Sequence, residues 1–289
     1  MRLCRFAEDR VGLVRGEQVF DVTAALAGLR YPYPLPRFDP LVANLATLRP
    51  EIERLADKAP PRSVADTKFL SPIANPGKIV AAPVNYKKHL EEARVDAAIH
   101  HQKQIEEIQR VGLFLKATSS MVGASEGVAI RHPDRRTDHE IELAAVIGRK
   151  ADRVSADHAL DHVAGYCIGL DITVRGPEER SLRKSIDSYT VLGPWLVTSD
   201  ELTDPASLDL TLTVNGDTRQ KANTRDLIIG LAELIAYASS FYTLMPGDVL
   251  LTGTPEGVAP IQAGDVMRAA IAQVGSMDIR VRAADPLRI

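Results

Sequence analysis

The chain has 289 residues, 35 Lys and Arg against 38 Asp and Glu, and a formal net charge of −3. Its well-mixed, slightly acidic balance gives no reason to expect nucleic acid or an anionic membrane as a partner. The basic start MRLCRFAEDRVGLVRG has no apolar signal-peptide core, and no run approaches the roughly 18 apolar residues of a membrane span. The two cysteines, Cys4 and Cys167, cannot form a disulfide framework. They read as buried small hydrophobes in a protein of the reducing cytoplasm.

Taken in chain order, residues 1–23 read as three short strands, RLCRFA, VGLVRG and QVFDVT, separated by turns. Four prolines in 31–40 demand irregular or tightly turned chain. Apolar residues at helical spacing follow in 41–59. The Pro-rich stretch 60–77 marks a boundary near residue 72, so a small N-terminal α+β domain (1–72) is expected before a larger domain (73–289). A strand, KIVAAPV (78–84), leads to a helix from about Asn85. No Pro or Gly interrupts it before Gly112, so the helical pattern can run on through EEARVDAAIHHQKQIEEIQR as a solvated helix. From 113 onward strand patterns dominate: LFLKA, GVAI, EIELAAVIG, GYCIGLDITV, PWLVT, LDLTLTVNG, DVLLTG, DVMRAAIA and MDIRVRA. One buried helix is expected over 227–244. Near-continuous apolar strands with few helices indicate a β-rich α+β fold.

The sharpest feature is Asp138-His139-Glu140-Ile141-Glu142, which runs into Leu143-Ala144-Ala145-Val146-Ile147. Side chains of a strand alternate, so Glu140 and Glu142 face the same way and approach the core. Two like charges in low dielectric require that one protonate or that a cation neutralise both. Asp171, ending the otherwise uncharged GYCIGLD, is a third carboxylate out of place. Oxygen-only ligands suit Mg²⁺, with Mn²⁺ or Ca²⁺ possible, and three carboxylates leave coordination sites for water and substrate. The plain alternatives are a solvated strand face for the glutamates and a turn cap for Asp171. His158 and His162 stand four apart in ADHALDH, but flanking aspartates make a polar helix face the better reading. His100 and His101 read as solvated. No dinucleotide, phosphate-loop or nucleophile-elbow motif is present.

These residues resemble the fumarylacetoacetate hydrolase family. KIVAAPVNYKKHLEEA, LFLKATSSMVG, DHEIELAAVIGR, AGYCIGLDITVR, RKSIDSYTVLGPWLVT, VNGDTRQKANTRDLI and LMPGDVLLTGTPEGV follow one another between Lys78 and Val281. The ordered set is specific for the family and not for one reaction. The resemblance implies a mixed β-roll or barrel catalytic domain and Glu140, Glu142 and Asp171 as metal ligands. It further implies His89 and Glu92 as a water-activating pair, Lys184 beside the developing enolate, and Arg175 and Thr254 as substrate contacts. A homodimer is expected on the same ground.

The implied activity is hydrolysis of a carbon–carbon bond in a small 2-oxo or β-diketo acid, acylpyruvate-like or a diketo-deoxy sugar acid, giving pyruvate and a carboxylic acid. That chemistry belongs to aromatic or sugar-acid catabolism. Oxaloacetate-type decarboxylation or keto–enol isomerisation on the same site is the second reading. A catalytically lapsed protein that binds metal and 2-oxo acid is the third. Gly176 and Glu178 depart from the family's usual Asp and Gln. Glu178 is therefore a candidate either to border the substrate, where a carboxylate in place of a neutral donor disfavours a second anionic group, or to pair with Arg175 and weaken its grip.

Overall fold

The computed structural model describes residues 1–31, 33–101 and 104–284. Its framework is one large sheet of twelve strands, ten of them in a continuous order. From one edge these are Pro61–Ser63, Gln18–Asp21, Arg10–Arg15, Arg2–Phe6, Thr190–Thr198, Val163–Asp171, Ile141–Ile147, Val249–Leu251, Ile79–Ala81 and Phe114–Lys116. The order is open at both ends among the described residues, so the fold is the expected β-rich α+β type without a closed barrel. A second sheet of five strands stacks Asp217–Asn223, Asp209–Val214, Val266–Ile271, Gly275–Ala283 and Val128–Ile130. No described helix is long and apolar enough to cross a membrane.

The strands read from the sequence are present with shifted ends: 78–84 is cut back to Ile79–Ala81, whereas 194–198 lies inside the longer Thr190–Thr198. Ile141–Ile147 is buried along its whole length because it has neighbours on both sides and packing on both faces. Ile141, Leu143, Ala145 and Ile147 enter one hydrophobic cluster, while Ala144 and Val146 enter another. The two buried cysteines belong to the same scaffold, and burial pushes both thiols up to about 12. The helical stretch 41–59 appears as Pro40–Ala43 and Leu45–Ala56, broken at Asn44. Asp39 caps the first piece through Val42 N and also accepts from the backbone of Ala74 and Asn75. Pro32 of the proline-rich segment lies outside the described residues.

Two helical expectations are corrected. The buried helix of 227–244 is confined to Leu231–Phe241, starting after Gly230. The long helix after Asn85 is broken into Lys87–Val95, Ala97–His100 and Ile108–Val111. Asp96 is the cause: its backbone is extended and its carboxylate caps Ala98 N at 2.8 Å, starting a new helix. Arg136 holds the same carboxylate at 3.0 Å. Gln102 and Lys103, which the continuous helix would include, lie outside the described residues.

Sheet register decides where the carboxylates meet. Ile141 pairs with Leu170, so the residue before one strand, Glu140, lies beside the last residue of its antiparallel neighbour, Asp171. Asp171 N donates to Glu140 O at 2.9 Å. The loop after Val249–Leu251 arrives at the same end, since Ala144 pairs with Leu251.

Candidate active site

Glu140, Glu142 and Asp171 are all buried, and each offers a ligand atom within 4.8 Å of the others. Their cationic neighbours are unevenly shared. Lys184 Nζ donates to Glu140, Asp171 and Thr173 Oγ1, each at 2.6 Å. Arg175 donates to Asp138 at 2.7 Å and to Glu140 at 2.9 Å. Lys116, fully buried, is hydrogen-bonded to Asp171 and gives a second bond to Tyr189 O at 2.9 Å. Glu142 has no cation partner among the described residues, only Gly253 N at 2.6 Å.

The charge states follow from that division. Burial opposes ionisation of Glu140, but Lys184, Arg175 and His89 together outweigh it and hold its carboxyl well below the usual range. Burial pushes Glu142 well above its ordinary value, with Asp171 and Glu140 adding to the effect against Lys184. Lys116 is held below its ordinary value by burial, partly offset by Asp171. An all-oxygen cluster with one uncompensated buried carboxylate is a donor set that a hard divalent cation fits, because the cation supplies the charge that Glu142 lacks.

His89 is buried on the Lys87–Val95 helix, and its Nδ1 lies 2.8 Å from Glu92 Oε2. Glu92 Oε1 accepts from Gly257 N at 3.0 Å, which ties the helix to the TGTPEG loop. The helix is anchored at its start by Asn85, whose amide bonds Ile229 N, Ile229 O and Thr252 O, each at 2.9 Å. Gly253 has φ +98 and a Cβ there would meet Asn85 Cβ at 2.7 Å, so this turn admits no other side chain without strain. Thr254 Oγ1 donates to Ile141 O at 2.9 Å and accepts from Gln220 Nε2 at 2.8 Å. Gln220 Oε1 accepts from Ile141 N and His139 Nδ1, so the proton of His139 sits on Nδ1.

His89, Glu140, Glu142, Arg175, Glu178, Lys184 and Thr254 all border one cavity of ≈ 270 Å³, together with Arg180 and Arg183. The geometry therefore brings together the residues singled out from the sequence, with two changes of role. Glu178 does not pair with Arg175. It forms a two-pronged pair with Arg135 at 2.8 and 3.0 Å, and Arg135 also donates to Arg175 O. A Cβ at Gly176 would fall 1.8 Å from Arg135 Nη2, so the two departures at 176 and 178 are one packing solution. His100 and His101, expected on a solvated face, line the cavity instead. His158 stays exposed, 3.4 Å from Asp161.

Lys116, Asp138, Asn85, Gln220 and the arginines of Arg180–Lys184 are site residues that the sequence reading left without a role. Lys116 stands in a quoted motif, FLKA, and an uncharged strand ending in lysine was the available signal.

With the geometry in place, residues 78–282 match the family model described as fumarylacetoacetate hydrolase, C-terminal. The chain belongs to the fumarylacetoacetate hydrolase family. A maleylpyruvate hydrolase of Aquipseudomonas alcaligenes is 56% identical over 285 residues, 98% of this chain and 99% of its own length. A mitochondrial oxaloacetate tautomerase of Xenopus laevis is 37% identical over 228 residues, 74% of this chain and 68% of its own. Among solved structures, the maleylpyruvate hydrolase of Sphingobium sp. SYK-6, in complex with manganese(II) and pyruvate, superposes with a TM-score of 0.84. It is 38% identical and is matched over 99% of this chain and 100% of that one.

Proposed function

We propose that this protein is a divalent-metal-dependent hydrolase that cleaves a carbon–carbon bond of an acylpyruvate, of the maleylpyruvate kind, to pyruvate and a carboxylic acid. The observation that carries this is the meeting of Glu140, Glu142, His89 and Lys184 on one small cavity, with Asp171 completing the carboxylate triad behind it and Glu92 held on His89. The near-full-length likeness to a maleylpyruvate hydrolase supports the substrate class, and the manganese in the related structure supports the metal.

Mg²⁺ or Mn²⁺ held by Glu140, Glu142 and Asp171 supplies Lewis-acid polarisation of the 2-oxo acid and offsets charge that develops on it. The chain's own residues do the rest. Glu92 accepts at His89 Nδ1 and so orients the ring with Nε2 as its basic atom. That atom removes a proton from water as the water attacks the acyl carbonyl, and after the carbon–carbon bond breaks it gives that proton to the carbon of the released enolate, which becomes pyruvate. Lys184, held over Glu140 and Asp171, places its positive charge beside the enolate that leaves as the bond breaks. Arg175 steadies Glu140 from behind and offers the substrate carboxylate its guanidinium edge. Thr254 contributes an oxygen held in place by Gln220.

The reading extends to a homodimer in the cytoplasm, supported by the family resemblance and by two free, buried thiols. It also treats residues 1–72 as a small bracing domain. Its own apolar cluster of Leu3, Val11, Leu13, Val22, Ala25, Ile52 and Ala56 supports that division, and the pairing of Arg2–Phe6 with Thr190–Thr198 supports the bracing.

Keto–enol isomerisation is the second reading, favoured by the likeness to an oxaloacetate tautomerase over the shared domain. EDTA-stripped protein is expected to be inert, and Mg²⁺ or Mn²⁺ to restore equimolar pyruvate and a second acid from maleylpyruvate. Interconversion of oxaloacetate tautomers, or CO₂ release, without cleavage of any acylpyruvate would favour the second reading. Metal binding with no turnover across maleylpyruvate, acetylpyruvate, a diketo-deoxy sugar acid and oxaloacetate would favour the lapsed enzyme.

A further inference from the structure

The short helix Arg180–Lys184 turns three cations towards the cavity: Arg180, then Arg183 and Lys184 one turn later. Residues three and four apart share a helix face, and Leu182 between them is 66% exposed. The cations are not equivalent. Lys184 is engaged by Glu140 and Asp171, and Arg175 opposite is engaged by Asp138 and Glu140. Arg183 spends its donors on backbone oxygens of Glu178 and Val174, at 3.1 and 3.2 Å.

Neither Arg180 nor Arg183 has a carboxylate in ion-pair contact among the described residues. The nearby acids are committed elsewhere: Glu178 to Arg135, and Glu179 to capping Ser181 N at 2.6 Å. Arg180 instead lies over the ring of buried Phe114, its Cζ 5.5 Å from the centroid. Lys184 Nζ stands 5.6 Å from the same centroid, which puts Arg180 within a small molecule's length of the lysine on the triad. A guanidinium resting on an aromatic face keeps its in-plane N–H donors free for a ligand.

We propose that Arg180, seconded by Arg183, receives a second carboxylate of the substrate, so that this site selects acylpyruvates bearing an acid group at each end. The inference rests on the reading that a 2-oxo acid occupies the triad end of the cavity. A maleyl group is the acyl of a diacid, so its acylpyruvate carries one carboxylate for the triad end and one for Arg180. The planar fork of arginine suits that second group, because a carboxylate matches it with two parallel hydrogen bonds.

The test compares two unreactive ligands of equal chain length on the Mn²⁺-loaded protein: 2-oxohexanedioate and 2-oxohexanoate, by calorimetry. The wild type is expected to bind the diacid at least about ten-fold more tightly. Arg180→Gln should reduce that preference to about two-fold or less, Arg180→Lys should keep part of it, and Arg183→Gln should lose less. Equal affinities in the wild type, no binding of either acid, or equal weakening of both by Arg180→Gln would overturn the proposal. Because binding is read and not turnover, discrimination without cleavage of any acylpyruvate would refute the hydrolase and leave the subsite standing. A working hydrolase blind to the second acid would do the reverse.

Discussion

Glu140→Gln is expected to lower kcat/KM on maleylpyruvate by at least about 10³-fold, in proportion to a loss of Mn²⁺ affinity, while leaving the fold intact. Glu140 is the carboxylate of the triad best held in its charged form, with Lys184 at 2.6 Å and Arg175 at 2.9 Å on its two oxygens. The amide keeps the shape and one acceptor but removes the charge that a divalent ion needs. The fold survives because both cations keep another carboxylate: Lys184 retains Asp171, and Arg175 retains Asp138. Calorimetric Mn²⁺ titration, steady-state kinetics and a thermal melt on the same preparation separate these effects. Full activity in the variant would remove Glu140 from the ligand set.

His89→Gln should lower kcat by about 10²- to 10⁴-fold, the range for losing a positioned general base. Mn²⁺ affinity should stay within about two-fold, since the histidine stands outside the triad. The residue is 4% exposed and its ring is fixed by Glu92, which is in turn fixed by Gly257 N. A glutamine at 89 can still bond Glu92 but has no basic nitrogen with which to take a proton. Electron paramagnetic resonance of bound Mn²⁺ reads the metal independently of rate. If metal binding fell in step with kcat, His89 would act through the ligands and not on water.

The triad was legible because a strand's period of two puts Glu140 and Glu142 on one face, and because Asp171 interrupts an uncharged strand. That Asp171 touches Glu140 was not legible, since it depends on the register Ile141 to Leu170, which no local pattern specifies. The same holds for Lys116 and Arg135, whose carboxylates lie 55 and 43 positions away in the chain.

The strand Asp217–Asn223 went unread for a different reason. It is an edge of the second sheet with mostly exposed side chains, and it buries only Gln220 and Asn223. Asp96 carries a readable signal in Asp-Ala-Ala, that of a capping residue before helix formers, although neither Pro nor Gly marks the break. That residue joins the start of the Ala97–His100 helix to the site. Asp96, Arg136, Asp138, Arg175 and Glu140 form an unbroken series of ion pairs of 3.0, 2.8, 2.7 and 2.9 Å.

Cleavage by water is the central claim, and turnover of maleylpyruvate by Mn²⁺-loaded protein in H₂¹⁸O tests it most directly. Attack of water on the acyl carbonyl puts one solvent oxygen into the carboxylic acid released beside pyruvate. Mass spectrometry is therefore expected to find a single ¹⁸O in that acid in the first turnover, and no label without metal. An unlabelled acid, or consumption of substrate without release of two acids, would contradict hydrolysis and turn the same residues to enolate chemistry alone.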